Sequence, residues 1–454
     1  MVWLNSSTIL AELDSYIKHH GLNVRQLAGK LELNPGTVSH ILNGSRKLTM
    51  DQLDQITEML GYSQGHFYSN YIHEYLVEND PNWRRIRPFL FNCAELGKLD
   101  CIREVVNVLL DNLMYSPLLF EAAEELFYNG KYEAAEILYE NVADSERKQH
   151  SERLAMCQYR LFTIRIGKDQ MQNFKIASQF EPFVERLDEI QQLDALKDLC
   201  NLYRSLRHWD RVEHFAREME HKARIQYFTT EQKFQQQQEK LSAPLFAYIA
   251  YAKLLYACVS EGKGDYEQAL HFTYDYADLN WVKETDNKSV YWKNLFNDWA
   301  QANTYANKLM NGDLDVLSDY VAYIEKRPHE VRTALFNIMH SANRYSFNVD
   351  SVLLQFESEI KGYDDPQTNN IFEGQVIPDD YVRLLYELSL YYLQRSDYLN
   401  GFNFTMKGLE YSVVINKEDI ILKYVSLFEE FRSAASNEIT DKYKNLIKKV
   451  CVAL

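Results

Sequence analysis

The chain has 454 residues, a quarter of them charged, and a formal net charge of −16. That length holds several domains or one extended repeat array, and the acidity excludes a body that wraps nucleic acid. Six scattered cysteines with no Cys-x-x-Cys pair read as buried thiols in a reducing compartment, not as a disulfide frame or a zinc site. No apolar run reaches the length of a membrane span, and the first residues lack the basic stretch of a secretory signal, so a cytoplasmic location is expected.

In chain order, a first helix is expected over about Thr8–His19, with Ile9, Leu10, Leu13, Tyr16 and Ile17 on one side. Asn23 is placed to cap a second helix, in which Val24, Leu27, Ala28 and Leu31 share a face. Leu33 falls in the turn that follows. Asn34 caps a third helix with Pro35 at its first position, where a missing N–H costs least. Val38, Ile41 and Leu42 give that helix a buried face, and Asn43-Gly44 ends it, because glycine accepts the left-handed conformation past a helix end. A further helix over Met50–Leu60 carries Leu53, Ile56, Met59 and Leu60 and stops at Gly61. Two helices joined this way form the unit that lays one helix in the DNA major groove. The basic run Trp83-Arg84-Arg85-Ile86-Arg87 reads either as a connector helix beside DNA phosphates or as a charged helix end.

This head resembles the Cro/C1-type helix-turn-helix family. The matching points are Gln26-Leu27-Ala28, Leu33, Val38-Ser39, Ile41 and Asn43-Gly44-Ser45-Arg46-Lys47, within roughly the first 65 residues. The resemblance implies that Thr37, Ser39 and His40 face base edges and that Arg25, Asn43, Ser45, Arg46 and Lys47 lie near phosphate. Pro35-Gly36 departs from the pattern, since many relatives carry polar base-reading side chains there. The head is not basic overall, and phosphate attraction supplies most non-specific affinity. A helical bundle that does not bind DNA is therefore the competing reading.

The body repeats. Its clearest unit, Ser116 to Gln149, has Ala123, Leu126, Gly130, Tyr132, Ala135 and Tyr139 in tetratricopeptide-repeat (TPR) order. Small alanines let two helices approach, Gly130 makes the turn, and Tyr132 and Tyr139 are expected to fill the gap to the next hairpin. Weaker copies surround Gly97, Trp209, Gly264, Gly312 and Tyr398. One hairpin cannot bury its own apolar face, so the units stack. The fold expected is all-α: an N-terminal helix-turn-helix domain followed by a right-handed TPR-like α-solenoid, with almost no strand. Two segments break the pattern. Thr229–Leu241, with its Gln235–Gln238 run, reads as polar helix or loop, and Lys361–Pro378 reads as a long loop.

Such a head before degenerate repeats resembles the peptide-sensing RRNPP regulators, and its organisation is similar to that of the phage arbitrium receptors. The resemblance implies a cytoplasmic homodimer that binds a double-stranded DNA operator and a short imported signalling peptide, which changes its DNA affinity. The domains expected are 1–68 (DNA-binding), 69–88 (connector helix), 89–440 (repeats) and 441–454 (a capping or dimerisation helix). In such arrays the first helix of each hairpin lines the concave face. Helical spacing puts Lys197, Asn201 and Arg204 on one inward face, and Thr333, Asn337 and His340 on another. Asparagine offers a donor and an acceptor to a peptide backbone, and Arg204 or Lys197 offers a cation to its carboxylate. Solvated polar positions on a groove wall are the plainer alternative.

No enzyme is expected. His73-Glu74 and His329-Glu330 lack the second histidine of a zinc helix, and no phosphate loop or Gly-x-Ser-x-Gly elbow occurs. No metal or cofactor is expected either. Two other functions remain open: a regulator whose repeats bind a partner protein, and a scaffold that does not bind DNA.

Overall fold

A computed structural model describes residues 8–77, 82–109, 113–149, 151–229, 241–328, 330–361 and 373–453. The chain divides into two compact units, Met1–Ile164 and Arg165–Leu454. It is all-α among the described residues: a helix-turn-helix at the N-terminus, then a helical body.

The first unit begins with α1 (Ile9–His20), α2 (Val24–Lys30), α3 (Pro35–Leu42) and α4 (Met50–Met59). Each starts on a side-chain cap. Thr8 accepts from Ala11 N, Asn34 accepts from Gly36 N, and Asn23 with Gln26 and Thr49 with Gln52 form reciprocal capping boxes. Such caps satisfy amide donors that short helices cannot bond internally, at about 1 kcal/mol each. Leu13, Leu27, Val38, Ile41, Leu53 and Ile56 form the core of this bundle. Val24 is a correction: it is exposed, because it opens α2 at the margin of the apolar stripe.

Next come α5 (Tyr68–Tyr71), a π-helical turn (Ile72–Val77) and α6 (Trp83–Glu95). The Tyr68 hydroxyl donates to Asp54 Oδ1 (3.1 Å) and Asn92 Nδ2 donates to Asp54 Oδ2 (3.3 Å), so one carboxylate ties α4, α5 and α6 together. Phe89 packs its ring against Tyr68 and Tyr71. The unit continues through α7 (Leu99–Leu109), α8 (Ser116–Tyr128), α9 (Tyr132–Ser145) and α10 (Glu152–Arg165). Ala123 and Ala135 are fully buried, and Gly130 turns the chain between α8 and α9 at φ +74°. Tyr139 is buried with its hydroxyl on Glu124 Oε1 (2.5 Å). Tyr132, expected as a filler, is 45% exposed; it stands at the start of α9, with its edge on Phe127.

The second unit runs through α11 (Gln170–Phe180), α12 (Gln191–Leu206), α13 (Trp209–Thr229), α14 (Leu245–Gly262), α15 (Tyr266–Ala277), α16 (Asn287–Met310), α17 (Leu317–Glu325) and α18 (Val331–Tyr345). The short helices α19 (Asp350–Gln355) and α20 (Glu357–Lys361) precede α21 (Glu373–Gln394), α22 (Tyr398–Val414), α23 (Glu418–Phe431) and α24 (Asn437–Ala453). Consecutive helices such as α13 and α14, α14 and α15, and α21 and α22 pack on each other. Tyr443 and Leu446 of α24 are buried in the last core cluster, beside Phe428. Gly408 makes room for a buried ring: a methyl there would overlap Tyr424, whose hydroxyl donates to Val382 O (2.6 Å). The long loop expected over Lys361–Pro378 is corrected at its end, because Glu373–Pro378 already belong to α21. Propensity is a weak prior that the apolar packing of this helix overrides. The Gln235–Gln238 run lies outside the described residues, as do 362–372.

This unit closes on itself. Gln170 N donates to Ile415 O (3.0 Å), Asn416 Nδ2 reaches Asp169 Oδ1 (3.4 Å), and Lys417 Nζ donates to Ser205 O (3.0 Å). These bonds join its beginning to a stretch more than 200 residues later, so its helices form a ring and not an open arc.

Candidate DNA-binding face and ligand cavity

In α3 the side chains of Val38 and Ile41 are buried, while Ser39 and His40 are exposed and Thr37 is half-buried. The turn after α3 is built from the residues expected near phosphate. Asn43 Oδ1 accepts from Ser45 N (3.0 Å) and from Ser45 Oγ (2.6 Å), and His40 Nδ1 lies 2.9 Å from the same hydroxyl. Arg46 N donates to His40 O (3.0 Å), which folds the chain back along α3 and sets the Arg46 guanidinium 3.5 Å from Thr37 Oγ1. Asn43 and Ser45 thus shape the turn, Arg46 reaches the recognition helix, and Arg25 is exposed on α2. Lys47 is half-buried and lines a recess together with Ser45 and Arg46.

Inside the ring of the second unit lies a cavity of about 730 Å³, within the range that holds small organic ligands. Its walls come mainly from α12, α14, α16, α18, α21 and α23, largely alternate helices of the array. Arg204, Thr333, Asn337 and His340 line it together. The Arg204 Nε has no partner, its Nη1 reaches only Cys258 Sγ (4.0 Å), and it is in no ion pair among the described residues. Burial opposes its charge, but Tyr251, Cys258 and Asp380 outweigh that and raise its pKa above the usual value. Asn337 Nδ2 points to Tyr320 Oη (3.4 Å), and His340 Nδ1 lies 2.8 Å from Glu387 Oε1.

Lys197 and Asn201 stand elsewhere. Lys197 pairs with Asp194 (3.0 Å) and Asp198 (3.7 Å) and donates to Ser242 Oγ (2.6 Å). Asn201 accepts from the Tyr251 hydroxyl and so fixes a ring that lines the cavity. Their helical spacing from Arg204 is right, but Ser242 and Tyr251 cover that end of the face.

The sequence reading missed the acidic side of the cavity. Asp379 is buried and takes three cations: Arg383 (2.9 Å), Lys417 (3.3 Å) and Arg207 (3.6 Å). Burial raises its pKa, but those charges outweigh burial and hold the carboxyl below its ordinary value. Asp380, next in the chain, has no ion pair among the described residues; burial, then the Asp379 charge, push it up to about 6. The signal was the adjacent pair Asp379-Asp380, hidden because the preceding residues read as loop.

Residues 13–63 match the HTH_3 family, Helix-turn-helix. That stretch spans most of α1 and all of α2–α4, and the match supports a DNA-binding transcriptional regulator. No curated protein matches the chain. Among the described residues no helix is long and apolar enough to cross a membrane, and no cluster of potential metal ligands occurs.

Proposed function

We propose that this protein is a cytoplasmic transcriptional regulator that binds its operator as a homodimer and responds to a short signalling peptide held in the ring of its second unit. Thr37, Ser39 and His40 present α3 to base edges, while Arg25, Arg46 and Lys47, with the turn formed by Asn43 and Ser45, meet the backbone. Pro35 and Gly36 offer no side-chain donor, so one half-site gives modest readout and a dimer on paired half-sites supplies the rest. In the cavity, Arg204 takes a peptide carboxylate and Asn337 and His340 hold polar groups along its length. The domain limits at 68, 88 and 440 belong to this proposal.

The observation that carries the ligand reading is Arg204: a cation in no ion pair among the described residues, with an unsatisfied Nε, in the wall of the cavity. A buried charge without a partner is costly, and a carboxylate ligand removes that cost. The ligand acts on DNA only if it binds one conformer of the ring better than another.

The test is fluorescence anisotropy on DNA from upstream of the gene, over a salt series, with and without a low-molecular-mass fraction of host culture medium. Specific binding that changes with the fraction supports the reading. Specific binding indifferent to it points to a partner protein, and binding no better than to random duplex overturns the regulator.

A further inference from the structure

We infer that the DNA interface extends beyond the helix-turn-helix, with Arg85 of α6 joining Arg46 and Lys47 in a cradle for one backbone phosphate of the operator duplex. The inference rests on the DNA-binding reading and adds a residue outside the segment that matches the family.

The three cations line one recess of about 430 Å³, with Ser45, Asn82 and Tyr75. None of the three is in an ion pair among the described residues, whereas Arg87 on the same helix is paired with Glu125 (2.5 Å). Like charges that converge without a counterion repel each other, and an anion between them reverses the sign of that energy. Asn82 caps α6 through Arg84 N (3.0 Å), so the positive end of a 13-residue helix faces the same recess.

Their approach is fixed by the fold. The Tyr71 hydroxyl donates to Leu48 O (2.9 Å), next to Lys47, and Tyr71 stacks on Phe89 of α6. Asp54 holds Asn92, farther along α6. One set of buried contacts therefore sets both walls. The ligand is assigned as duplex backbone because Arg46 also reaches Thr37 of α3, which puts the recess beside the recognition helix.

The experiment compares wild type, Arg85→Ala, Arg85→Lys and Arg103→Ala, all full length, for binding to the upstream fragment and to random duplex across a salt series. A phosphate contact contributes about 0.9 to the slope of log affinity against log salt. Arg85→Ala should reduce the slope by about 1 and weaken both duplexes alike, leaving their ratio unchanged. Arg85→Lys should keep the slope, and Arg103→Ala, whose arginine pairs with Asp100, should match wild type. An unchanged slope in Arg85→Ala overturns the cradle while leaving the regulator reading intact; a wild type that binds no duplex overturns both. Inorganic phosphate that raises the melting temperature of wild type but not of Arg85→Ala, with equal salt slopes, would identify a free-anion site and also overturn the assignment.

Discussion

Asp379→Asn removes the carboxylate shared by Arg383, Lys417 and Arg207 where the ring closes, leaves Arg383 only its longer pair with Asp419 (3.6 Å), and keeps the side-chain volume almost unchanged. Asp379 is 3% exposed, and the Arg383 and Lys417 side chains are 9% and 6% exposed, so the cations left behind are poorly hydrated. Removing one partner of a buried pair costs about 3–5 kcal/mol. Arg207 is the weakest partner, being 30% exposed and opposed by burial and by Arg383. An Asn carboxamide also keeps one hydrogen bond, so a loss of about 3 kcal/mol is expected. Arg165–Leu454 is a unit of about 290 residues, with an unfolding entropy of roughly 0.6 kcal/mol/K, which converts that loss to about 5 °C in Tm. Tryptophan fluorescence is the assay, because four of the six tryptophans, Trp209, Trp281, Trp292 and Trp299, lie in this unit. The pH dependence gives a second check. The folded pKa of Asp379 is depressed, so the unfolded chain takes up the proton first. The stabilisation is complete above about pH 4 and is lost as pH falls through the depressed value. The variant should lack that acid limb. A midpoint within about 1 °C of wild type at pH 7, or an unchanged acid limb, would refute the clasp.

Asp380→Asn should act in the opposite sense. Its carboxyl is raised to about 6, so its ionisation costs stability above that pH; the variant should melt higher at pH 7.5, with the gap closing toward pH 4 in the same assay. Gly408→Ala should push the Tyr424 ring off Val382 O and cost about 2–4 kcal/mol, read by urea unfolding followed by circular dichroism; a neutral result would mean that the α22–α23 approach is not tight. Arg204→Ala should abolish the response of operator binding to the culture-medium fraction while leaving binding without it unchanged, and a preserved response would remove Arg204 from the ligand site.

The head was legible because its rules are local. Asn23, Asn34 and Gly44 occupy the cap and stop positions that their chemistry specifies, and each does so in the structure. The errors came where a residue's environment depends on what packs over it. Val24 has the right spacing for burial but stands at the margin of the stripe and stays 39% exposed. Tyr132 sits at a position where TPR order expects a filler, yet it meets the Phe127 ring edge-on and stays nearly half exposed. Arg85 lay in a basic run that the sequence reading left between a DNA contact and a helix end; only the Tyr71–Leu48 and Asp54–Asn92 bonds bring it to Arg46 and Lys47.

The ring itself was beyond reach of the repeat pattern, for a physical reason. A nearest-neighbour array is specified by contacts between consecutive hairpins, and the pattern of small residues and turns encodes those alone. Closure adds contacts between Asp169 and Asn416, Gln170 and Ile415, and Ser205 and Lys417, which no periodicity links. Those made by side chains depend on charges with no helical signature: Lys417 stands beside a turn, and Asp379, which pairs with it, follows a segment expected as loop. Helical spacing therefore found the cavity wall at Arg204, Asn337 and His340 but not Asp379 and Asp380 on the helix beside it, where three cations hold one carboxyl down and burial with its neighbour's charge raises the other.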